Sequence, residues 1–337
     1  MSSAETHPEK DLRFLDHTLR PLLWDDYIGQ ETTKKNLSLL LRAAKERNHA
    51  PEHLLFYGPP GLGKTTLAHL IARQIGGNLK ATSGPAIEKI GDLASLLTNL
   101  SSGDIFFIDE IHRLNKTVEE VLYPAMESGV LDIIIGKGPS ARTLQLELPP
   151  FTLVAATTRI ALLSSPLRSR FSGGIFRLEF YTEDEIERII KRSADILGAA
   201  IERGACSAIA KRSRATPRTA NYLLKRCRDL AQLEKEPLSH AIAEKAFALL
   251  DIDQLGLSPS DRRILETLVV KFNGGPVGLS TLSAATAEET ATIEEVYEPY
   301  LLQSGFIERT PRGRVATARA YEHLGYSVPE DIQQKLL

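Results

Sequence analysis

From His53 onward, short apolar runs alternate with longer stretches in which apolar residues recur every three or four positions. His53 to Tyr57, Asn78 to Thr82, Ile105 to Ile108 and Phe151 to Thr157 predict strands, with amphipathic helices between them. Parallel strands need helix-length connections, so this alternation predicts an α/β fold: a parallel sheet with helices on both faces. Leu131 to Ile135 and Thr143 to Leu148 flank Gly136-Lys137-Gly138-Pro139 after a helix ending near Ser128. That pattern predicts an inserted β-hairpin over about 131–148, projecting from the sheet. After Tyr181 the period becomes wholly helical: Thr182 with Glu185 predicts a capping box, and Ile186, Ile189, Ile190 and Leu197 share one face. Thr216-Pro217 predicts an N-cap and first-turn proline for a helix reaching Leu233, and Ile242 to Leu250 predicts another. Asp251 to Pro259 reads as a linker. Beyond it, helices over Ser260 to Phe272, Leu279 to Ala284 and Thr292 to Gln303 precede two short strands near Gly305 and Gly313, the order of a winged helix-turn-helix.

Length sharpens this picture, because 337 residues exceed one ordinary core and favour two or three units. The formal charge of -2 excludes a uniformly basic mode of nucleic-acid binding, so any such contact is local. Cys206 and Cys227 lack metal-ligand spacing and read as reduced thiols. No stretch has the run of apolar residues that a membrane span needs, and Met1 to Arg13 is polar, so a cytoplasmic protein is expected. The first 15 or so residues show no period and predict a disordered arm.

Candidate chemistry begins at Gly58-Pro59-Pro60-Gly61-Leu62-Gly63-Lys64-Thr65. A loop that wraps phosphates needs glycines so that N–H groups converge, a lysine for the outer phosphates and a hydroxyl for Mg2+. Gly58, Gly61, Gly63, Lys64 and Thr65 supply all of these, at the start of a helix that favours an anion. Downstream, Ile105-Phe106-Phe107-Ile108 ends in Asp109 and Glu110, which must emerge at the C-terminal edge of a buried strand. Asp109 is the candidate Mg2+ ligand beside Thr65, and Glu110 the group that orients and polarises the attacking water on ATP.

The flanks add a resemblance. Ala155-Ala156-Thr157-Thr158-Arg159 followed by Ser164-Ser165-Pro166-Leu167-Arg168-Ser169-Arg170-Phe171 resembles the AAA+ ATPases. That likeness implies that Thr158 senses the γ-phosphate and that Arg170, or alternatively Arg168, reaches a neighbouring subunit's nucleotide as an arginine finger. Thr216-Pro217-Arg218 resembles the second sensor of that superfamily, carried by Arg218. Closer still, Leu19-Arg20-Pro21, Tyr27-Ile28-Gly29-Gln30, Asp109-Glu110-Ile111-His112-Arg113-Leu114, Tyr123-Pro124-Ala125-Met126-Glu127, Gly274-Gly275-Pro276-Val277-Gly278-Leu279 and Arg309-Thr310-Pro311-Arg312-Gly313-Arg314 are similar to the RuvB family of Holliday-junction branch-migration motors. The resemblance runs from about Leu19 to Gly325.

It implies an AAA+ large ATPase domain over 16–181, a small all-α lid over 182–253 and a winged-helix DNA-binding domain over 254–337. It implies a homohexamer around the duplex arms of a Holliday junction, RuvA docking on the hairpin, RuvC acting afterwards, and ATP, ADP and Mg2+ as ligands. By the same likeness Leu19, Arg20, Thr66 and Tyr181 line the nucleotide pocket, and Glu127, Ser128 and Gly129 approach it from the adjoining subunit. The apolar Ile133, Ile134 and Ile135 fit an exposed patch awaiting that partner, with core packing the alternative.

Arg309, Arg312, Arg314 and Arg319 concentrate positive charge in the wing, with Glu308 the only acid among them, and the first three are the candidate phosphate contacts. Glu288, Glu289, Glu294, Glu295 and Glu298 make the same domain acidic overall. Two departures from the family pattern stand out: Thr290 where arginine is common, and one extra residue in Phe171-Ser172-Gly173-Gly174-Ile175. Two other readings stay open on sequence alone, a clamp-loader-like ATPase and a nucleotide-gated regulator whose winged domain reads base sequence.

Overall fold

Five strands pair in parallel: β1 (Leu54–Tyr57), β2 (Leu79–Ser83), β3 (Ile105–Asp109), β6 (Thr152–Thr157) and β7 (Gly174–Arg177). Their order across the sheet is β2-β3-β6-β1-β7. The computed structural model describes residues 18–135 and 142–329, so the predicted N-terminal arm and the Gly136-Lys137-Gly138-Pro139 turn lie outside the described residues. Every side chain of β6, and all but the last of β1 and β3, is buried, because helices cover both faces of a parallel sheet. The strands foreseen at Asn78, Ile105 and Phe151 each appear within about a residue of expectation, the usual scatter of such boundaries.

Strand β7 went unforeseen. It has four residues, begins in glycine, and presents only Ile175 and Phe176 as apolar signal. It nevertheless pairs with β1 from Leu54↔Gly174 to Tyr57↔Arg177, and the Gly173 N–H donates to the His53 carbonyl at 3.0 Å. The extra residue in this stretch is thus taken up at the entrance to an edge strand.

His53 fastens the amino end of the sheet. Its Nδ1 accepts from the Leu153 N–H at 2.9 Å and its Nε2 donates to the Met126 carbonyl at 2.9 Å, which sets one neutral tautomer. Burial pushes its pKa down, against weaker opposing pulls from the Met126 carbonyl and Glu52. Met126 belongs to the helix Lys116–Ser128, capped by the Asn115 side chain and closed by Gly129 at φ 64°. From there the antiparallel pair β4 (Val130–Ile135) and β5 (Arg142–Glu147) runs in register from Val130↔Glu147 to Ile135↔Arg142. Leu131 is buried in the main core, Ile133 leans on it and Leu144 is exposed, while the Ile134 and Ile135 side chains lie outside the described residues. Of the foreseen apolar patch, Ile133 packs against the core.

The chain divides into two compact units after Tyr181. The second opens with the expected capping box: the Glu185 N–H donates to Thr182 Oγ1 at 3.3 Å and Glu185 Oε2 accepts from the Thr182 N–H at 2.8 Å. Four helices follow, Glu183–Ile196, Arg203–Arg212, Pro217–Glu234 and His240–Leu249. Then come Pro259–Glu266, Leu279–Thr286 and Glu298–Gln303, the hairpin of β8 (Ile307–Thr310) and β9 (Gly313–Ala316), and a last helix Ala318–His323. Two of the long helices foreseen here instead contain wider π-helical turns, Thr267–Lys271 and Ile293–Tyr297. A π turn takes up an extra residue while keeping Leu268, Val269 and Ile293 in the winged-helix core.

Asp251 to Pro259 is not a slack linker. Asp253 Oδ1 accepts from the Leu255 and Leu257 N–H groups at 2.9 Å, Arg212 Nε donates to the Asp253 carbonyl at 3.0 Å, and His323 Nε2 meets Asp253 Oδ2 at 2.8 Å. Arg214 pairs with fully buried Asp261 at 3.0 Å and lies over the Tyr300 ring. Cys206 and Cys227 are unpaired buried thiols, and desolvation pushes their pKa values up to about 11 and about 12. Among the described residues no helix is long and apolar enough to cross a membrane.

The folded pKa of His53 is depressed, so below the ordinary histidine value the unfolded chain takes up a proton that the folded chain refuses, and stability falls as pH drops. His53→Gln should cost about 1–3 kcal/mol at pH 7.5 through the disrupted hydrogen bonds. Thermal unfolding should then show a smaller further loss on acidification to pH 5.5 in the variant than in the parent chain.

Candidate active site

The carboxyl ends of β1, β6 and β3 lie side by side, since β6 pairs with both neighbours (Tyr57↔Thr157 and Ile108↔Ala155). Ligands of open α/β sheets bind at such an edge. After β1, Gly58, Gly61 and Gly63 take φ values of 143°, 82° and 95°, the left-handed backbone that lets the loop turn back on itself. The helix Lys64–Ile75 follows with no side-chain cap on its first turn, leaving N–H groups for an anion. Lys64 is buried, and its Nζ donates to the Gly58 and Pro59 carbonyls at 2.7 Å each. Thr65 Oγ1 donates to Asp109 Oδ2 at 3.4 Å, and Thr66 is the next residue of the helix. The loop and the first acid, distant in sequence, are thereby in contact.

Asp109 Oδ1 accepts the Glu110 N–H at 2.9 Å, while Glu110 itself sits at φ 48°. A non-glycine residue held there is strained, a cost that tends to be kept at functional positions. Gly84 at the end of β2 explains how the turn fits: a Cβ on it would lie 2.4 Å from the Glu110 carbonyl oxygen. The Glu110 side chain is about half exposed, 3.3 Å from Arg113. At the end of β6, Thr157 Oγ1 accepts from the Arg159 N–H at 3.0 Å and bonds His112 Nδ1 at 2.9 Å, tying this strand end to the turn after Glu110. The neighbouring Thr158 hydroxyl is buried with no hydrogen-bond partner among the described residues. An unsatisfied buried hydroxyl is costly unless something else comes to meet it.

Leu19 is buried, and Arg20 Nη1 donates to His69 Nε2 on the phosphate-loop helix. The Tyr181 hydroxyl donates to the Leu62 carbonyl at 3.2 Å and lies 3.3 Å from the Tyr27 hydroxyl. Burial, then the Tyr181 neighbour, raises the Tyr27 pKa. Tyr27 and His112 were missed as site residues, and neither stands out in sequence from an ordinary core aromatic or surface histidine.

Arg170 and Glu127 meet each other at 3.0 Å. Arg170 also donates to the Pro166 carbonyl at 2.7 Å and lies 4.3 Å over the Tyr123 ring, with its Nε buried and without a partner among the described residues. The Tyr123 hydroxyl in turn donates to Glu119 at 2.5 Å. Arg168 is partly exposed with no side-chain partner among the described residues. Ser128 and Gly129 end the same helix as Glu127, whereas Arg218 stands exposed in the first turn of Pro217–Glu234, in the second unit.

In the wing, Arg312 is exposed, and Arg309 and Arg314 both fork onto Glu298. Glu308 is therefore not the only acid among these arginines, as the sequence suggested. Glu298 lies 11 and 16 residues away from them in the chain, so spacing alone did not reveal it.

Three family models match in chain order: the Holliday junction DNA helicase RuvB P-loop domain over residues 19–178, the RuvB AAA lid domain over 181–253 and the RuvB C-terminal winged helix domain over 254–325. The Holliday junction branch migration complex subunit RuvB of two strains of Chloroflexus aurantiacus is 54% identical over 325 residues, covering 96% of this chain and 93% of that protein. A solved structure of the Thermotoga maritima RuvB Holliday junction branch migration motor superposes with a TM-score of 0.85 at 52% identity, covering 93% of this chain and 100% of that one. With its phosphate-loop, lid and winged-helix parts all matched, the chain belongs to the RuvB family of AAA+ P-loop ATPases.

Proposed function

We propose that the chain hydrolyses ATP to ADP and phosphate to move duplex DNA, driving branch migration of Holliday junctions in recombination and repair. The observation that carries this reading is the phosphate loop and acid pair standing on a chain that RuvB models match from the loop to the wing. Its working parts are an ATPase part over 16–181, a lid over 182–253 and a winged helix over 254–337. It acts in the cytoplasm as a homohexamer, with RuvA on the 131–148 hairpin and RuvC following.

When nucleotide enters, Lys64 exchanges the Gly58 and Pro59 carbonyls for phosphate oxygens. Thr65 and Asp109 offer two hard oxygen ligands 3.4 Å apart, a donor set that suits Mg2+, which takes few protein ligands and keeps its waters and phosphates. The ion, when bound, neutralises phosphate charge. Glu110 orients and polarises the attacking water, the Thr158 hydroxyl donates to the γ-phosphate, and Leu19, Arg20, Gly61, Gly63, Thr66 and Tyr181 enclose the nucleotide. Arg170 serves the adjoining subunit's nucleotide, where a cation stabilises the charge that develops in phosphoryl transfer. Its bond to Glu127 supports placing both residues, with Ser128 and Gly129, on the same face toward that neighbour. Arg218 supplies a further cation from the lid. Arg309, Arg312 and Arg314 contact backbone phosphates, as a motor indifferent to sequence requires.

Glu110→Gln should bind ATP as the parent does while turnover falls by about a hundredfold or more. Normal hydrolysis by that variant would remove Glu110 from the mechanism. Arg170→Ala should lose about a thousandfold in turnover, in the range found for other arginine fingers. Mixed with Lys64→Ala subunits it should recover part of that activity, since one subunit's intact loop then faces the other's intact finger. Absence of recovery at every mixing ratio, or the same recovery pattern for Arg168→Ala instead, would move the assignment.

A further inference from the structure

Arg309 on β8 and Arg314 on β9 are directly opposite each other in the antiparallel register of the wing. Like charges in that relation repel and destabilise a hairpin. Beneath them lies the Glu298 carboxylate, only 1% exposed. Its Oε1 accepts from Arg309 Nε at 3.1 Å and Arg314 Nε at 3.0 Å, and its Oε2 accepts from the Nη2 of each at 2.9 Å. Two bidentate forks on one carboxylate use its acceptor sites and leave each guanidinium further N–H donors. Burial alone would raise the Glu298 pKa, but the two arginines hold it below the ordinary carboxylate range. The Arg309 side chain stays 51% exposed and that of Arg314 11%.

We propose that Glu298 is a positioning residue for DNA: it converts a repelling cross-strand pair into a rigid two-guanidinium unit whose outward N–H groups meet backbone phosphate. This rests on the reading of the wing as the DNA contact. Glu294 Oε1 also comes within 3.6 Å of Arg309 Nη2 and offsets part of its charge, and the forks fix guanidinium planes that would otherwise sample many rotamers. Binding therefore loses less side-chain entropy at the moment of contact. Glu298 thus differs from the other acids of this part in being buried and forked by both arginines, whereas Glu294 reaches Arg309 alone.

The sign of one substitution separates this from simple charge. Removing an acid beside a phosphate-binding surface should tighten DNA binding on electrostatic grounds alone. Loss of a positioning group weakens it. Four full-length chains are compared for affinity to a random-sequence duplex across a salt series: parent, Glu298→Gln, Arg309→Gln with Arg314→Gln, and all three together. Glu298→Gln should bind about tenfold more weakly, with the salt slope reduced by about one, and the triple variant should match the arginine double variant. Binding of Glu298→Gln equal to or tighter than the parent overturns the proposal. So does further weakening of the triple variant below the double, which would mean a general structural role. A double variant that binds like the parent removes the wing reading itself, and the proposal with it. Should Glu298→Gln unfold the winged part by circular dichroism, Arg309→Lys with Arg314→Lys asks the same question, since lysine keeps the charge but cannot fork. Weakened binding is expected there, and parent-like binding refutes the role of the forks.

Discussion

Side chains on a strand covered on both faces can be polar only at its ends, and that constraint organises the first unit. The adjacent strands β3, β6 and β1 are apolar along their buried lengths and finish at one edge in Asp109, Thr157 with Thr158, and the phosphate loop. Groups far apart in the chain converge because their strands are neighbours in register. Convergence has a local cost, visible in the left-handed backbone of Glu110 and in the close approach of Gly84 to its carbonyl. The Thr157 hydroxyl then links the end of β6 to His112, so the acid turn and the candidate sensor share one brace.

Arg170 belongs to a different arrangement. It is anchored by Glu127, the Pro166 carbonyl and the Tyr123 ring rather than by the loop or the acid pair. A guanidinium stacked on an aromatic face and tied to a carboxylate keeps its geometry before any partner arrives. In the proposed site the arginine would thus come preset, held against the helix Lys116–Ser128.

Four of the five sheet strands and the Thr182–Glu185 cap were legible because pattern, propensity and punctuation agree there. Strand β7 was not, since four residues entered through glycines carry too little periodic signal to compete with a turn. The segment Asp251 to Pro259 looked like a linker because its Pro, Gly and Asp content is that of a loop. What braces it, the long-range bonds of Asp253 to Arg212 and His323, has no local signature. The chemistry of the site followed the same division. Lys64, Thr65, Asp109 and Glu110 belong to contiguous motifs that mark them as candidates in sequence, and the structure brings Thr65 to Asp109. Glu298 acquires its role only through the pleat that sets Arg309 opposite Arg314, and in sequence it counted as one acid among five.

The two thiols carry a practical consequence. With pKa values near 11 and 12, Cys206 and Cys227 stay protonated and buried at neutral pH, where the thiolate is the species that reacts. The native chain therefore offers little background to maleimide chemistry. A single cysteine placed at the tip of the wing would carry a dye or spin label almost alone, so the motion of this part along DNA can be followed without first stripping the protein of its own sulfur.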